Sequence, residues 1–195
     1  MPKYAAFLRA INVGGHVVKM DALRSILSGC GVTGVETFIA SGNVLFTSPT
    51  RDAASVERTL EAALQKALGY PVSTFVRTPE ELAAVAAHMP CSADPAASGG
   101  AIHIIFLAGP LDSAARRELA ALSAPGDELS SKGREVYWCR SGKLSESPLF
   151  GKSLGTAIAA GTMRNRNTVV RLLARLEAAA PPAAAKKPRI RKETS

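Results

Sequence analysis

Between Tyr4 and Arg77 the apolar residues switch repeatedly between the two-residue period of a strand and the three- to four-residue period of a helix, and the order of those switches restricts the fold most. Tyr4 to Ile11 is an apolar run broken by Arg9 that ends in Asn12-Val13-Gly14-Gly15, the pattern of a strand entering a glycine turn. Met20, Leu23, Ile26, Leu27 and Cys30 follow at helical spacing, with Asp21 in the first turn and Gly29 and Gly31 at the exit. Val35 to Ala40 and Val44 to Thr47 flank Ser41-Gly42-Asn43 as a hairpin. A second helical stripe, Val56, Leu60, Leu64 and Leu68, is capped by Thr50 or Asp52, closed by Gly69 and followed by a strand from Val72 to Arg77. The resulting order, βαββαβ, is that of a ferredoxin-like unit.

Thr78-Pro79-Glu80-Glu81 opens a further helix that runs to about His88. Residues 90–100, rich in Ser, Ala, Pro and Gly, read as a linker between a first half, 1–89, and a second, 101–180. The second half starts again with a strand from Ile102 to Leu107, a helix from Asp112 to Leu122 and a hairpin around Lys132-Gly133. It is expected to be incomplete, because after Ser153 the pattern offers helices and no clear closing strand; the last helix is Thr168 to Ala179. The fold class expected is therefore α+β, with two ferredoxin-like halves, a C-terminal helix and a basic tail.

The chain has 195 residues, 47% of them hydrophobic, enough for a substantial core. No apolar stretch approaches the roughly 20 residues of a membrane span, which argues against membrane insertion. Cys30, Cys91 and Cys139 are far apart with no CxxC pair, so neither a disulfide framework nor a zinc site is expected, and a cytoplasmic, metal-free protein without a cofactor follows. The net charge is +8, and half of it sits in residues 183–195, where Lys186, Lys187, Arg189, Arg191 and Lys192 oppose Glu193. With one isolated Ile190 beyond Pro181-Pro182, residues 181–195 are expected to be disordered, either as a solubilising tail or as a tether for nucleic acid or another polyanion.

No catalytic signature is present. His16, His88 and His103 lack metal-ligand spacing, and there is no GxSxG elbow, Walker A loop or dinucleotide fingerprint. Polar residues instead concentrate at three element ends. Gly14 and Gly15, between a strand and a helix, can aim consecutive amides at an anion, with Lys19 adding a charge; they equally suit a tight turn. Ser41, Gly42 and Asn43 carry the same two readings. In Arg164-Asn165-Arg166-Asn167-Thr168, Asn167 or Thr168 suits a helix cap, whereas arginines beside helix amides suit a phosphate or carboxylate. Arg9 interrupts an apolar strand, so its charge must reach solvent, a carboxylate such as Asp21 or Glu36, or an anionic ligand.

These residues carry a family resemblance. The blocks Tyr4-x-Ala6-Phe7-Leu8-Arg9-x-Ile11-Asn12-Val13-Gly14-Gly15, Lys19-Met20 with Leu23, Phe38-Ile39-x-Ser41-Gly42-Asn43-Val44-x-Phe46, Arg77-Thr78-x-Glu80-Glu81-Leu82, Gly133-Arg134-Glu135-Val136-Tyr137 and Arg164-Asn165-x-Asn167-Thr168-Val169 resemble, in order, the bacterial family called domain of unknown function 1697. The resemblance implies two ferredoxin-like halves and no assigned activity. Two departures are Arg166, where the family usually has tryptophan, and the stretch Gly142 to Pro148, which differs from the usual Gly-x-x-x-Ser-Lys-Leu-like block.

The function expected is binding of a phosphate- or carboxylate-bearing small ligand, a nucleotide among the candidates, in a cleft formed by Arg9, Asn12, Gly14, Gly15, Lys19, Ser41, Gly42, Asn43, Arg164, Asn165, Asn167 and Thr168. The alternatives are a nucleic-acid-binding module, suggested by a pI near 9.8 but opposed by 5% aromatic content, and a ligand-free protein-interaction module. Because the helical stripe ends before Pro181, deleting residues 181–195 is expected to leave the thermal midpoint unchanged; a large drop in that midpoint contradicts this.

Overall fold

The computed structural model describes residues 1–12, 17–39, 42–122, 124–152 and 154–178; the tail and the Gly14, Gly15 and Ser41 positions lie outside them. The first half contains β1 (Lys3–Leu8), α1 (Met20–Ser28), β2 (Thr33–Phe38), β3 (Asn43–Thr47), α2 (Ala53–Leu68) and β4 (Thr74–Arg77), followed by α3 (Pro79–Ala87). The second contains β5 (Ala101–Phe106), α4 (Ser113–Ala121), β6 (Asp127–Lys132), β7 (Glu135–Arg140), α5 (Thr156–Ala159) and β8 (Thr162–Asn165), followed by α6 (Arg166–Ala178). Each half forms a four-stranded antiparallel sheet, in the orders β2-β3-β1-β4 and β6-β7-β5-β8, consistent with two ferredoxin-like units.

Local chemistry fixes the element ends. Asp52 accepts from Ala54 N and Ser55 N at the start of α2, and Gly69, at φ 80°, ends it in the left-handed conformation. Thr78 and Glu81 form a reciprocal capping box with Pro79 in the first turn of α3.

Two expectations need correction. The second half is closed by β8, whose four residues pair with β5 from Thr162 opposite Phe106 to Asn165 opposite His103. Its sequence is mostly polar, so no apolar period marks it; what is abbreviated in this half is α5, a single turn. Gly161 is needed at the entry to β8, because a Cβ there would lie 2.6 Å from the Phe106 carbonyl oxygen. The second correction concerns cysteine: Cys91 and Cys139 form a disulfide across a separation of 48 residues. Packing of β7 beside the segment after α3 joins them, which spacing along the chain does not reveal.

The strand β1 is buried on both faces, which is why it reads as a nearly unbroken apolar run. Tyr4, Ala6 and Leu8 pack under α1 and α2 with Leu23, Leu27, Leu60 and Leu64. Ala5 and Phe7 face the other way, into a cluster shared with Ile102, Ile104 and Phe106 of the second sheet and with α3 and α6. Phe7 and Phe106 stack there with ring centroids 3.9 Å apart. A smaller cluster, including Ile105, Val136, Leu119 and Ile158, covers the outer face of the second sheet.

At the margin of this seam Arg77, 1% exposed, reaches from β4 into the second half. Its Nε donates to Glu135 Oε1 at 2.7 Å, and Nη2 donates to the carbonyls of Leu107 and Arg134. The guanidinium also lies 5.4 Å from the Phe106 ring centroid. Arg134 extends the network to Glu57 at 3.5 Å and Glu81 at 2.9 Å. Burial lowers the Arg77 pKa, and Glu135 opposes that shift. Arg77→Ala strands the Glu135 carboxylate in the seam and is expected to cost about 3–5 kcal/mol in urea unfolding, whereas pairing Arg77→Met with Glu135→Leu is expected to recover at least half of that loss. Equal losses in the single and double variants contradict this reading.

Candidate functional site

The sequence-predicted polar residues divide between two places. At the end of β1 the chain passes through Ala10, which adopts a positive φ of 55°, and Asn12 Oδ1 accepts from Val18 N at 2.7 Å. The β2–β3 turn is tied to the same end, since Leu8 N donates to Gly42 O at 2.7 Å. Gly42 has a packing reason to be glycine: its φ is 71°, and a Cβ would meet Ile11 Cγ2 at 2.9 Å and Leu8 O at 3.1 Å.

Asn43, 1% exposed, begins β3 at this joint. Its Nδ2 donates to Phe38 O, and its Oδ1 accepts from Arg164 Nε at 2.6 Å. Arg164 comes from β8 of the other half, 121 residues away. Its Nη1 donates to Thr162 Oγ1 and Met163 O, and its Nη2 to Leu8 O at 2.9 Å. Burial lowers its pKa to about 10.

Arg9 reaches the same inter-half joint from the surface, where Nε donates to Gly161 O and Nη2 to Ala159 O. Asp21 and Glu36 are engaged elsewhere, by Arg24 and Arg175. Lys19 is the exposed N-cap residue of α1 and makes no side-chain capping bond. Asn165 and Asn167 belong to another surface. Adjacent strand residues point to opposite faces, and Asn165 Oδ1 accepts from Asn167 N at 2.8 Å in the first turn of α6. Both line a small depression of about 100 Å³ with Met89 and Asp94. Thr168 follows in α6, and Arg166 is held by Ala86 O.

The strand registers expose an internal equivalence that sequence reading missed. Phe7 lies opposite Asn43 and Phe75, as Phe106 lies opposite Glu135 and Thr162. Ala5 lies opposite Arg77, as Ile104 lies opposite Arg164. Arg77 and Arg164 thus hold equivalent positions, each crosses into the other half, and each donates to the residue at the end of the other half's first strand, Leu107 or Leu8. Each guanidinium also faces the other half's phenylalanine, at 5.4 Å over Phe106 and 5.9 Å over Phe7. They differ in their Nε acceptors: Glu135 for Arg77 and Asn43 for Arg164. The available sequence signal was an arginine placed at or next to the end of a closing strand in both halves.

No curated protein matches this chain. A solved structure, that of conserved bacterial protein SP0830 from Streptococcus pneumoniae, is similar with a TM-score of 0.74 and 26% identity, covering 91% of this chain and 99% of that one. The family model described as protein of unknown function (DUF1697) matches residues 1–137, a span holding the whole first half, Arg77 and Glu135. On that match, the chain belongs to the DUF1697 family.

Proposed function

We propose that this protein binds a small ligand bearing a phosphate or carboxylate, nucleotides included, at the joint where the end of β1 meets β8. The observation carrying this reading is the meeting of two arginines at that joint: Arg164, whose N–H groups reach Asn43 Oδ1, Thr162 Oγ1, Met163 O and Leu8 O, and the exposed Arg9, whose guanidinium reaches Gly161 O and Ala159 O. Two cations held at one end of the sheet favour an anion there.

The roles are distinct. The Arg164 N–H groups are spent on protein acceptors, so this residue supplies field. Arg9 directs part of its guanidinium to two carbonyls and presents the rest to solvent, which makes it the contact residue. Binding, without an assigned reaction, is the proposed activity.

A base-stacking mode is disfavoured by the burial of Tyr4, Phe7, Phe46, Phe75, Phe106, Tyr137 and Trp138 on the sheets. Among the described residues no helix is long and apolar enough to cross a membrane. Cytoplasmic residence is part of the proposal.

The test is calorimetric titration with pyrophosphate and AMP. Arg9→Ala removes the contact, and Asn43→Asp places a carboxylate against Arg164. Each is expected to weaken binding by about 1.5–3 kcal/mol, roughly 10- to 150-fold, with an unchanged circular dichroism spectrum. Failure of both probes to bind, or full binding by Asn43→Asp, overturns the proposal.

A further inference from the structure

A cavity of about 490 Å³ lies at the seam between the halves, beside β4, and Arg164 is not part of its lining. Its walls come from both halves: the exposed face of α2 and the outer edge of β4 on one side, the β5–α4 loop and the α5–β8 turn on the other. Its volume falls within the roughly 300–1,000 Å³ of small-molecule sites, and the interface between two units is a common place for them.

The lining has two chemistries. Phe75, Leu107, Pro110 and Leu111 supply an apolar wall. The polar side is made of carboxylates fixed by backbone amides. Glu57 and Glu61, one helical turn apart on α2, use one oxygen each to accept from Val76 N and Thr74 N at 2.8 Å, capping the free edge of β4. Asp112 likewise uses Oδ1 to accept from Ala115 N at 2.7 Å.

Cationic compensation is uneven. Glu57 has Arg134 at 3.5 Å, but no ion pair among the described residues involves Glu61 or Asp112. Arg58, also on the lining, has a side chain 70% exposed and lies 3.8 Å from Asp52. In a chain of net charge +8, this half-open cleft therefore presents anchored acceptors facing an apolar wall.

We propose that the seam cavity binds a small organic cation, an amine or guanidine on an apolar body, with its charge toward Glu61 and Asp112 and its body against Phe75, Leu107 and Pro110. Fixed carboxylates select a cationic donor group over an anion of the same shape, and the apolar wall selects an organic body over a bare ion. This site uses none of the charged residues of the proposed anion site but adjoins it, since Gly161 and Ser73, both on the lining, accept from Arg9 Nε and Arg9 N.

The probes are 2-phenylethylamine and agmatine, with 3-phenylpropanoate as the anion of similar shape, followed by thermal shift and calorimetry on the full chain. Both amines are expected to raise the melting temperature, and 3-phenylpropanoate is not. Glu61→Gln keeps an acceptor for Thr74 N but removes the charge, and is expected to weaken amine binding at least about tenfold. Gly109→Leu fills the cavity at a position where a Cβ meets nothing within 4 Å and φ is not positive, and is expected to abolish amine binding. Absence of a shift with both amines, an equal shift with 3-phenylpropanoate, or undiminished binding by Glu61→Gln overturns the proposal; should Gly109→Leu fail to fold, Glu61→Gln decides it. AMP titration of the same variants separates this site from the anion site, since neither substitution touches Arg9, Asn43 or Arg164.

Discussion

The stacked Phe7 and Phe106 rings, with an arginine from each half over the other half's ring, form the contact on which the rest of the structure depends. Neither sheet has a solvent face to spare at this seam. Without the second half, Ala5, Phe7, Leu45 and Phe75 would lose the apolar surface that covers them, and Ile102, Ile104 and Phe106 would be uncovered in turn. The arginines solve a polar problem at the same place. A strand's last carbonyl, where the chain leaves the sheet, lacks the regular ladder to satisfy it. Leu8 O, at the end of β1, and Leu107 O, one residue past β5, are such groups, and each receives an N–H from the other half's arginine. The charge is buried because its donors are needed at the seam.

The two halves share backbone topology far more closely than they share chemistry. Glu135 and Asn43 hold equivalent positions, as do Phe75 and Thr162, and the 16-residue α2 has only the four-residue α5 as its counterpart. A short α5 leaves the outer face of the second sheet to be covered partly by the chain after β7. That segment is organised around Asp127, which is buried and accepts from Trp138 Nε1 at 2.6 Å, Arg140 Nη1 at 3.3 Å and Ser147 Oγ at 2.7 Å. A carboxylate can be held there because three donors compensate its lost hydration. Polar anchoring in this half takes the place of the apolar stripe that α2 supplies in the first.

Legibility in the sequence follows how local the determining physics is. The βαββαβ order of the first half, the Asp52 and Thr78 caps and the Gly69 stop depend on residues within a few positions of one another, and the pattern announces them. The prominence of Asn43 and Arg164 was also visible, since both stand where polar residues interrupt apolar elements; their 2.6 Å contact was not, because 121 residues separate them. The strand β8 escaped notice since its TMRN sequence is held by pairing with β5 rather than by its own periodicity. Arg77 looked like the polar end of a strand, and only the register of both sheets reveals its equivalence to Arg164. The Cys91–Cys139 bond is hidden for the same reason: tertiary packing alone brings its ends together.

Burying both faces of the first sheet also limits where chemistry can take place. Helices α1 and α2 cover one face, while the second sheet with α3 and α6 covers the other, so strand ends and strand edges are what remain. The β1 end is occupied by Arg9, the Gly42 turn and the Asn43–Arg164 contact; the β4 edge is occupied by Glu57 and Glu61. These two places have opposite charge for a structural reason. At the β1 end the carbonyls of Leu8 and Gly161 take donors from Arg164 and Arg9, whereas on the outer edge of β4 the N–H groups of Thr74 and Val76 take acceptors from Glu61 and Glu57. The charge that satisfies the backbone at each place is then the charge that a ligand there would meet, positive at the β1 end and negative in the seam cavity.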